Sequence, residues 1–201
     1  MKRRDGFDIL APIYDWVFRP PRRTPLGGIL GLPTGGRLLD VGGGTGRHAQ
    51  QWVGRAALVV VADASGPMLR RARAKPGLWP VACLAERLPF ANSAFDRVVM
   101  VDAYHHLIDQ EASLAELWRV LAPKGKLVIE EPDIQRAAVR WVARMERWAG
   151  MRSYFIPAEV IAARLARLGG MASVRRQGHA AWIVADRPSA HLPAHQSIQD
   201  G

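Results

Sequence analysis

Very little in this chain is suited to cross-linking. Its 201 residues include one cysteine, Cys83. No internal disulfide can form, and no paired cysteines stand at metal-ligand spacing. Cys83 lies in the apolar stretch 79–85 and reads as a buried, inert thiol. Lysine is confined to Lys2, Lys75, Lys124 and Lys126, and Asn92 is the only asparagine. No apolar run approaches the roughly 20 residues that cross a bilayer. Asp5, Asp8 and Asp15 interrupt what would be a signal peptide's apolar core behind Lys2, Arg3 and Arg4, so the cytoplasm is the expected location. The net charge of +10 would suit a nucleic acid. However, the arginines are spread over separate segments (Arg70, Arg71 and Arg73; Arg136, Arg140, Arg144 and Arg147; Arg164 and Arg167), as on solvated helix faces. Nucleic acid is therefore disfavoured as a partner, while contact with a membrane surface or an anionic acceptor stays open. No nucleophile constellation, metal cluster or paired carboxylate stands out.

What is present begins at Leu38-Leu39-Asp40-Val41-Gly42-Gly43-Gly44-Thr45-Gly46. An apolar run ending in glycines reads as a buried parallel strand followed by a loop that a ligand approaches closely. Glycine there permits positive φ and removes each Cβ from the approach. A helix over 45–53 would add its N-terminal partial charge. No Gly-Lys-Ser/Thr follows, which excludes P-loop chemistry. A dinucleotide spacing survives only in relaxed form, through Gly44, Gly46 and Ala49. Acid-x-Gly-x-Gly-x-Gly fits without strain, and the carboxylate of Asp40 suits a cationic group better than a pyrophosphate. S-adenosylmethionine has such a group in its methionine half, together with a sulfonium.

Strands are expected at 37–41, 57–62, 79–84, 95–101 and 126–131. Helices are expected at 65–75, 109–121, 134–148 and 157–168, with a closing hairpin over 173–177 and 180–185. Alternating strands and helices predict a parallel α/β sheet covered on both faces. The hairpin has no crossover helix, so its last strand should run antiparallel. Asp63, ending the second strand, is placed to accept from both hydroxyls of a ribose or to cap the helix that Ser65 opens. Ala64 and Met68 follow where a small and an apolar residue would border an adenine. Asp96 reads as a structural residue opening the fourth strand.

Through LLDVGGGTG, the chain resembles the class I S-adenosylmethionine-dependent methyltransferases. Ala85-Glu86-Arg87-Leu88-Pro89-Phe90 with Phe95-Asp96, and Leu114-Ala115-Glu116 through Pro123-Lys124-Gly125, extend the resemblance. Lys124 stands where that family has a glycine. Phe7-Asp8-Ile9-Leu10-Ala11-Pro12-Ile13-Tyr14-Asp15 is similar to the start of the quinone-biosynthesis branch (methyltransferase type 11). That branch has an Arg-Asn pair where this chain has Tyr104-His105-His106, a departure that bears on the acceptor and not on the donor.

The resemblance implies a Rossmann-like, doubly wound, mostly parallel seven-stranded sheet with an antiparallel C-terminal strand. It implies one domain over 1–186, with an N-terminal helical lid (1–31), an acceptor-site cover (134–156) and a flexible tail (187–201). Donor contacts fall on Asp40, Gly42, Gly43, Gly44, Asp63, Ala64, Met68, Ala85, Glu86, Arg87 and Asp102. Tyr14 lies in the lid over the methyl-donor pocket. His106 is the candidate general base, because an imidazole titrates near neutral pH, and His105 is second to it. Trp141, Met145, Trp148, Met151, Tyr154 and Phe155 would offer an aromatic or lipidic acceptor an apolar wall. Methyl transfer to a small molecule, on oxygen or carbon, leads the alternatives. The others are a nucleic-acid methyltransferase, an NAD-linked oxidoreductase and a donor-binding protein without turnover.

Overall fold

The computed structural model describes residues 25–137, 139–141, 144 and 153–189. Its sheet has the order β3-β2-β1-β4-β5-β7-β6. The strands are β1 (Arg37–Val41), β2 (Leu58–Asp63), β3 (Leu78–Ala82), β4 (Phe95–Val101), β5 (Leu121–Pro132), β6 (Met171–Gln177) and β7 (Ala180–Asp186). β1 through β5 pair in parallel and β7 runs antiparallel to both neighbours, as the missing crossover predicts. The central strands are near-continuous apolar runs because both of their faces are covered. Leu39, Val41, Val98, Met100, Leu127 and Ile129 share a core with α3 (Gln110–Val120) and α4 (Ala158–Arg167). Leu38, Val59, Val61, Val99 and Val128 face α1 (Leu26–Ile29), Trp52 and α2 (Gly66–Arg73). Pro80 is tolerated within β3 because that strand is an edge.

Local signals account for most boundaries. Ser65 accepts from Met68 N at 3.3 Å and opens α2. Asp109 accepts from the amides of Glu111 and Ala112 and opens α3. Gly169, at φ 89, ends α4. Asp96 accepts from Arg37 N at 2.7 Å, the structural role expected of it. The Leu88-Pro89-Phe90 loop and the Glu116–Arg119 helix face form one unit. Glu116 accepts from Leu88 N, and Arg119 donates to the carbonyls of Leu88 and Phe90 and to Asn92.

Four expectations change. The 45–53 helix is only a 3-10 turn, Ala49–Trp52. Positive φ at Gly44 and Gly46 delays its start and Val53 is already extended, so no helix dipole faces the loop. β5 begins at Leu121, and the Pro123-Lys124-Gly125 turn is absorbed as an irregularity opposite β4. Lys124 has φ 61, the conformation a glycine takes without strain. Residues 25–31, assigned to the lid, pack instead at the amino edge of the sheet. There Arg97 Nε donates to Leu30 O at 2.6 Å, and Leu26 and Leu30 are buried. Arg187, assigned to the tail, is tied in, donating to Trp118 O at 2.9 Å and through its amide to Gly125 O. Residues 1–24 of the lid and 138, 142–143 and 145–152 of the cover lie outside the described residues.

Candidate active site

The strand order reverses between β1 and β4, and ligands of open α/β sheets bind at the carboxyl edge beside such a switch point. Of the residues singled out from the sequence, Asp40, Gly42, Gly43, Gly44, Asp63 and Asp102 lie at the carboxyl ends of β1, β2 and β4. Gly42 donates to Ala62 O at 2.8 Å, and a Cβ on it would come within 2.6 Å of Ala103 Cβ. A Cβ on Gly43 would lie 2.6 Å from Asp40 Oδ2 and 2.9 Å from Val61. Glycine is needed at both positions because the loop folds down onto its own strand ends. Gly44 donates to Asp63 Oδ2 at 2.8 Å, and Ser65 N donates to Asp63 Oδ1 at 2.7 Å. One carboxylate thus ties the glycine loop to the start of α2. Each oxygen has a second lone pair, so Asp63 caps backbone and still has acceptor capacity for a hydroxyl.

Asp40 lies beneath the loop, 1% exposed, and neither carboxylate oxygen has a hydrogen-bond partner among the described residues. Burial, with the nearby Asp63 charge and against the pull of Arg47, raises its pKa to about 8. A buried carboxylate without partners is costly, and a cationic ligand group would relieve that cost. Asp102 has φ 51 and stands 3.8 Å from Arg47. Although its side chain is 43% exposed, the desolvation that remains and Glu131 push its pKa up, opposed by Arg47 and His105. Burial also raises Glu130, opposed by the Trp182 indole, which donates to it at 2.6 Å. The edge is therefore rich in carboxylates held toward their neutral forms, with the guanidinium of Arg47 among them.

The residues expected to border an adenine are placed less uniformly. Ala64 is exposed, Met68 is buried in α2, Ala85 packs half-buried against the core and Arg87 is exposed. Glu86 accepts from the amides of Ile108 and Asp109 at 3.3 and 3.4 Å, joining the loops after β3 and β4. The Cys83 thiol is pushed up to about 11 by burial and by Asp63, in keeping with an inert side chain. Tyr14 lies outside the described residues.

The two candidate histidines differ. His105 is buried, its Nδ1 2.6 Å from Glu131 Oε2 and its ring stacked on Phe155 at 4.1 Å. His106 is half-buried and packs against His105 at 3.9 Å, with Nδ1 3.5 Å from Ser153 Oγ. The sequence reading missed Arg47, His48, Glu130, Glu131 and Trp182. The rule that found Asp40 and Asp63, an acid at a parallel strand's carboxyl end, applies equally to Glu130-Glu131. No local signal marks Trp182, which arrives on the antiparallel strand opposite Glu130.

His48 has both ring nitrogens buried and without partners among the described residues, and burial with Arg47 lowers its pKa to about 4. Its neutral form stabilises the fold above the ordinary value of 6.5, and that contribution is lost as pH falls from 6.5 toward 4. The loss amounts to about 3 kcal/mol at most. Replacing His48 by leucine should flatten this acid limb in urea unfolding at pH 7 and pH 4; an unchanged slope would mean that His48 is not buried neutral.

Residues 39–129 match the family model described as a methyltransferase domain. The chain is 34% identical over 134 residues to the demethylmenaquinone methyltransferase of Renibacterium salmoninarum, covering 62% of this chain and 56% of that protein. It spans about half the length of the curated relatives it matches. In fold it superposes on a SAM-dependent methyltransferase of Thermotoga maritima with a TM-score of 0.74 at 21% identity, over 90% of this chain and 98% of that one. It also superposes on the phosphoethanolamine N-methyltransferase 2 of Haemonchus contortus, solved with S-adenosyl-L-methionine. There the TM-score is 0.73 at 18% identity, over 90% of this chain and 57% of that one. The strand order and the reversed β7 are thus shared with solved S-adenosylmethionine-dependent methyltransferases.

Proposed function

We propose that the protein transfers the methyl group of S-adenosylmethionine to the oxygen or carbon of a small aromatic or quinol-like acceptor. The observation that carries this reading is the carboxylate-rich carboxyl edge, with the unpartnered Asp40 beneath the glycine loop. A cationic sulfonium and ammonium would draw these carboxyls into their ionised forms; the pyrophosphate of a dinucleotide would not. The donor supplies a methyl already activated by its sulfonium. The chain's work is therefore orientation, worth roughly 7–11 kcal/mol when reacting groups are held in line. Asp63 and the glycine loop would hold the nucleoside, and Asp40 and Asp102 would face the methionine half. His106 would take the acceptor's proton. Tyr154, Phe155 and Ile108 surround the 104–106 turn with apolar surface, which favours an aromatic acceptor. The similarity to a demethylmenaquinone methyltransferase points the same way.

Titration of the purified protein with S-adenosylmethionine and with NADH tests the donor. Binding of NADH without the sulfonium compound would overturn the reading. Formation of S-adenosylhomocysteine with a panel of phenols and quinols then separates turnover from binding alone. His106→Ala should lower turnover by about 100-fold or more, within the usual range for a general base, and leave donor affinity within about twofold. Normal turnover would make His106 a packing residue.

A further inference from the structure

We infer that Glu131 is a positioning residue that sets the tautomer of His105 and, through that ring, the placement of His106. The inference rests on the proposed role of His106 as the acceptor's base. Glu131 is the next-to-last residue of β5 and is buried, at 6% exposure. A carboxylate in that position must be hydrogen-bonded to be tolerated, and both of its bonds go to one three-residue turn. Oε1 accepts from Tyr104 N at 2.9 Å and Oε2 meets His105 Nδ1 at 2.6 Å. A carboxylate only accepts, so the hydrogen of the second contact sits on Nδ1.

With Nδ1 fixed, the His105 ring has little freedom. One face stacks on Phe155 with 14° between the planes, and His106 packs against the ring at 3.9 Å. The backbone on either side is also held. His105 O accepts from Tyr154 N at 2.7 Å, and His106 N donates to Ala103 O at 3.1 Å. Glu131 itself is anchored by the sheet, paired with Ala181 across β7. A rigid central strand thus sets the orientation of an imidazole that its own turn would leave rotatable. A displacement of about 1 Å at a reacting group costs on the order of 100-fold in rate, so this support bears on turnover rather than on donor affinity.

The variant that separates positioning from simple backbone support is Glu131→Gln. Its amide oxygen can still accept from Tyr104 N, which preserves the turn. Its NH2 group must then donate to His105 Nδ1, which moves the ring hydrogen to Nε2. Long-range 15N–1H NMR of the histidine rings should report the Nδ1–H tautomer of His105 in the wild type and Nε2–H in the variant. Turnover should fall about 10–100-fold, as for loss of other outer partners of site histidines, with S-adenosylmethionine affinity within about twofold. His105→Phe, which keeps the stack and loses the Glu131 bond, should lower turnover similarly and provides a second test if the glutamine variant folds poorly. A wild-type tautomer, or wild-type turnover, in Glu131→Gln while His106→Ala is impaired would overturn the positioning role alone. Full turnover in His106→Ala would overturn the base assignment and this inference with it, whereas absent donor binding in the wild type would overturn the proposed function itself.

Discussion

Replacing Asp63 by alanine is expected to weaken S-adenosylmethionine binding by about 100-fold. The carboxylate accepts from Gly44 N and Ser65 N, and hydrogen bonds to a charged group contribute about 1.5–3 kcal/mol each. Alanine frees the middle of the glycine loop from the start of α2 and removes the acceptor proposed for the ribose. Part of the loss falls on the fold and part on the ligand, so calorimetric titration should be read beside thermal unfolding without ligand. The Asp63→Asn variant keeps one accepting oxygen and should bind with an affinity between those of wild type and Asp63→Ala. An affinity equal to wild type with a lowered melting temperature would make Asp63 a structural cap only.

The second large effect is pH-dependent. Asp40 carries its proton in the folded protein up to about pH 8, while in the unfolded chain it titrates at its ordinary 3.8. The folded state therefore binds more protons between those values. Its advantage is complete below pH 4 and is lost as pH rises through about 8. At about 1.4 kcal/mol per pH unit the ionised form costs up to about 6 kcal/mol. Asp40→Asn removes this cost but leaves an amide poorly hydrogen-bonded, at about 1–3 kcal/mol. The donor-free variant should thus be about 3–5 kcal/mol more stable than wild type at pH 9, with that advantage gone by pH 5. Urea unfolding at the two pH values measures it, and a difference independent of pH would mean that Asp40 is ionised in the fold. The same variant should bind S-adenosylmethionine more weakly, because an amide cannot ionise to face the ligand's cationic groups.

These two effects concern residues recognisable from their neighbours in the chain. An acid closing an apolar strand before glycines, and another closing the next strand before Ser65, belong to single segments. The alternation of strand and helix, the Ser65 cap and the closing hairpin were legible for the same reason. Failures came where glycine backbone conformation or nonlocal packing overruled the expected element. The apolar spacing over 45–53 looks helical, yet Gly44 and Gly46 at positive φ hold the chain in turns until Ala49. Residues 25–31 look like the base of a lid, but Arg97 from β4 and Arg55 bind the carbonyls of Leu30 and Leu32 and hold them at the opposite edge.

The sequence by itself determined the α/β class, the reversed last strand, and the glycine loop and acids at the carboxyl edge. Periodicity, capping and turn chemistry are properties of contiguous residues, and they survive whatever the strands do next. Only the tertiary structure decided which charges share the site. Arg47 meets Asp102, Trp182 meets Glu130 and Glu131 meets His105 because β1, β4, β5 and β7 are neighbours in that order. Strand order is set by the joint burial of two apolar faces, and no stretch of sequence short enough to read as a motif contains it.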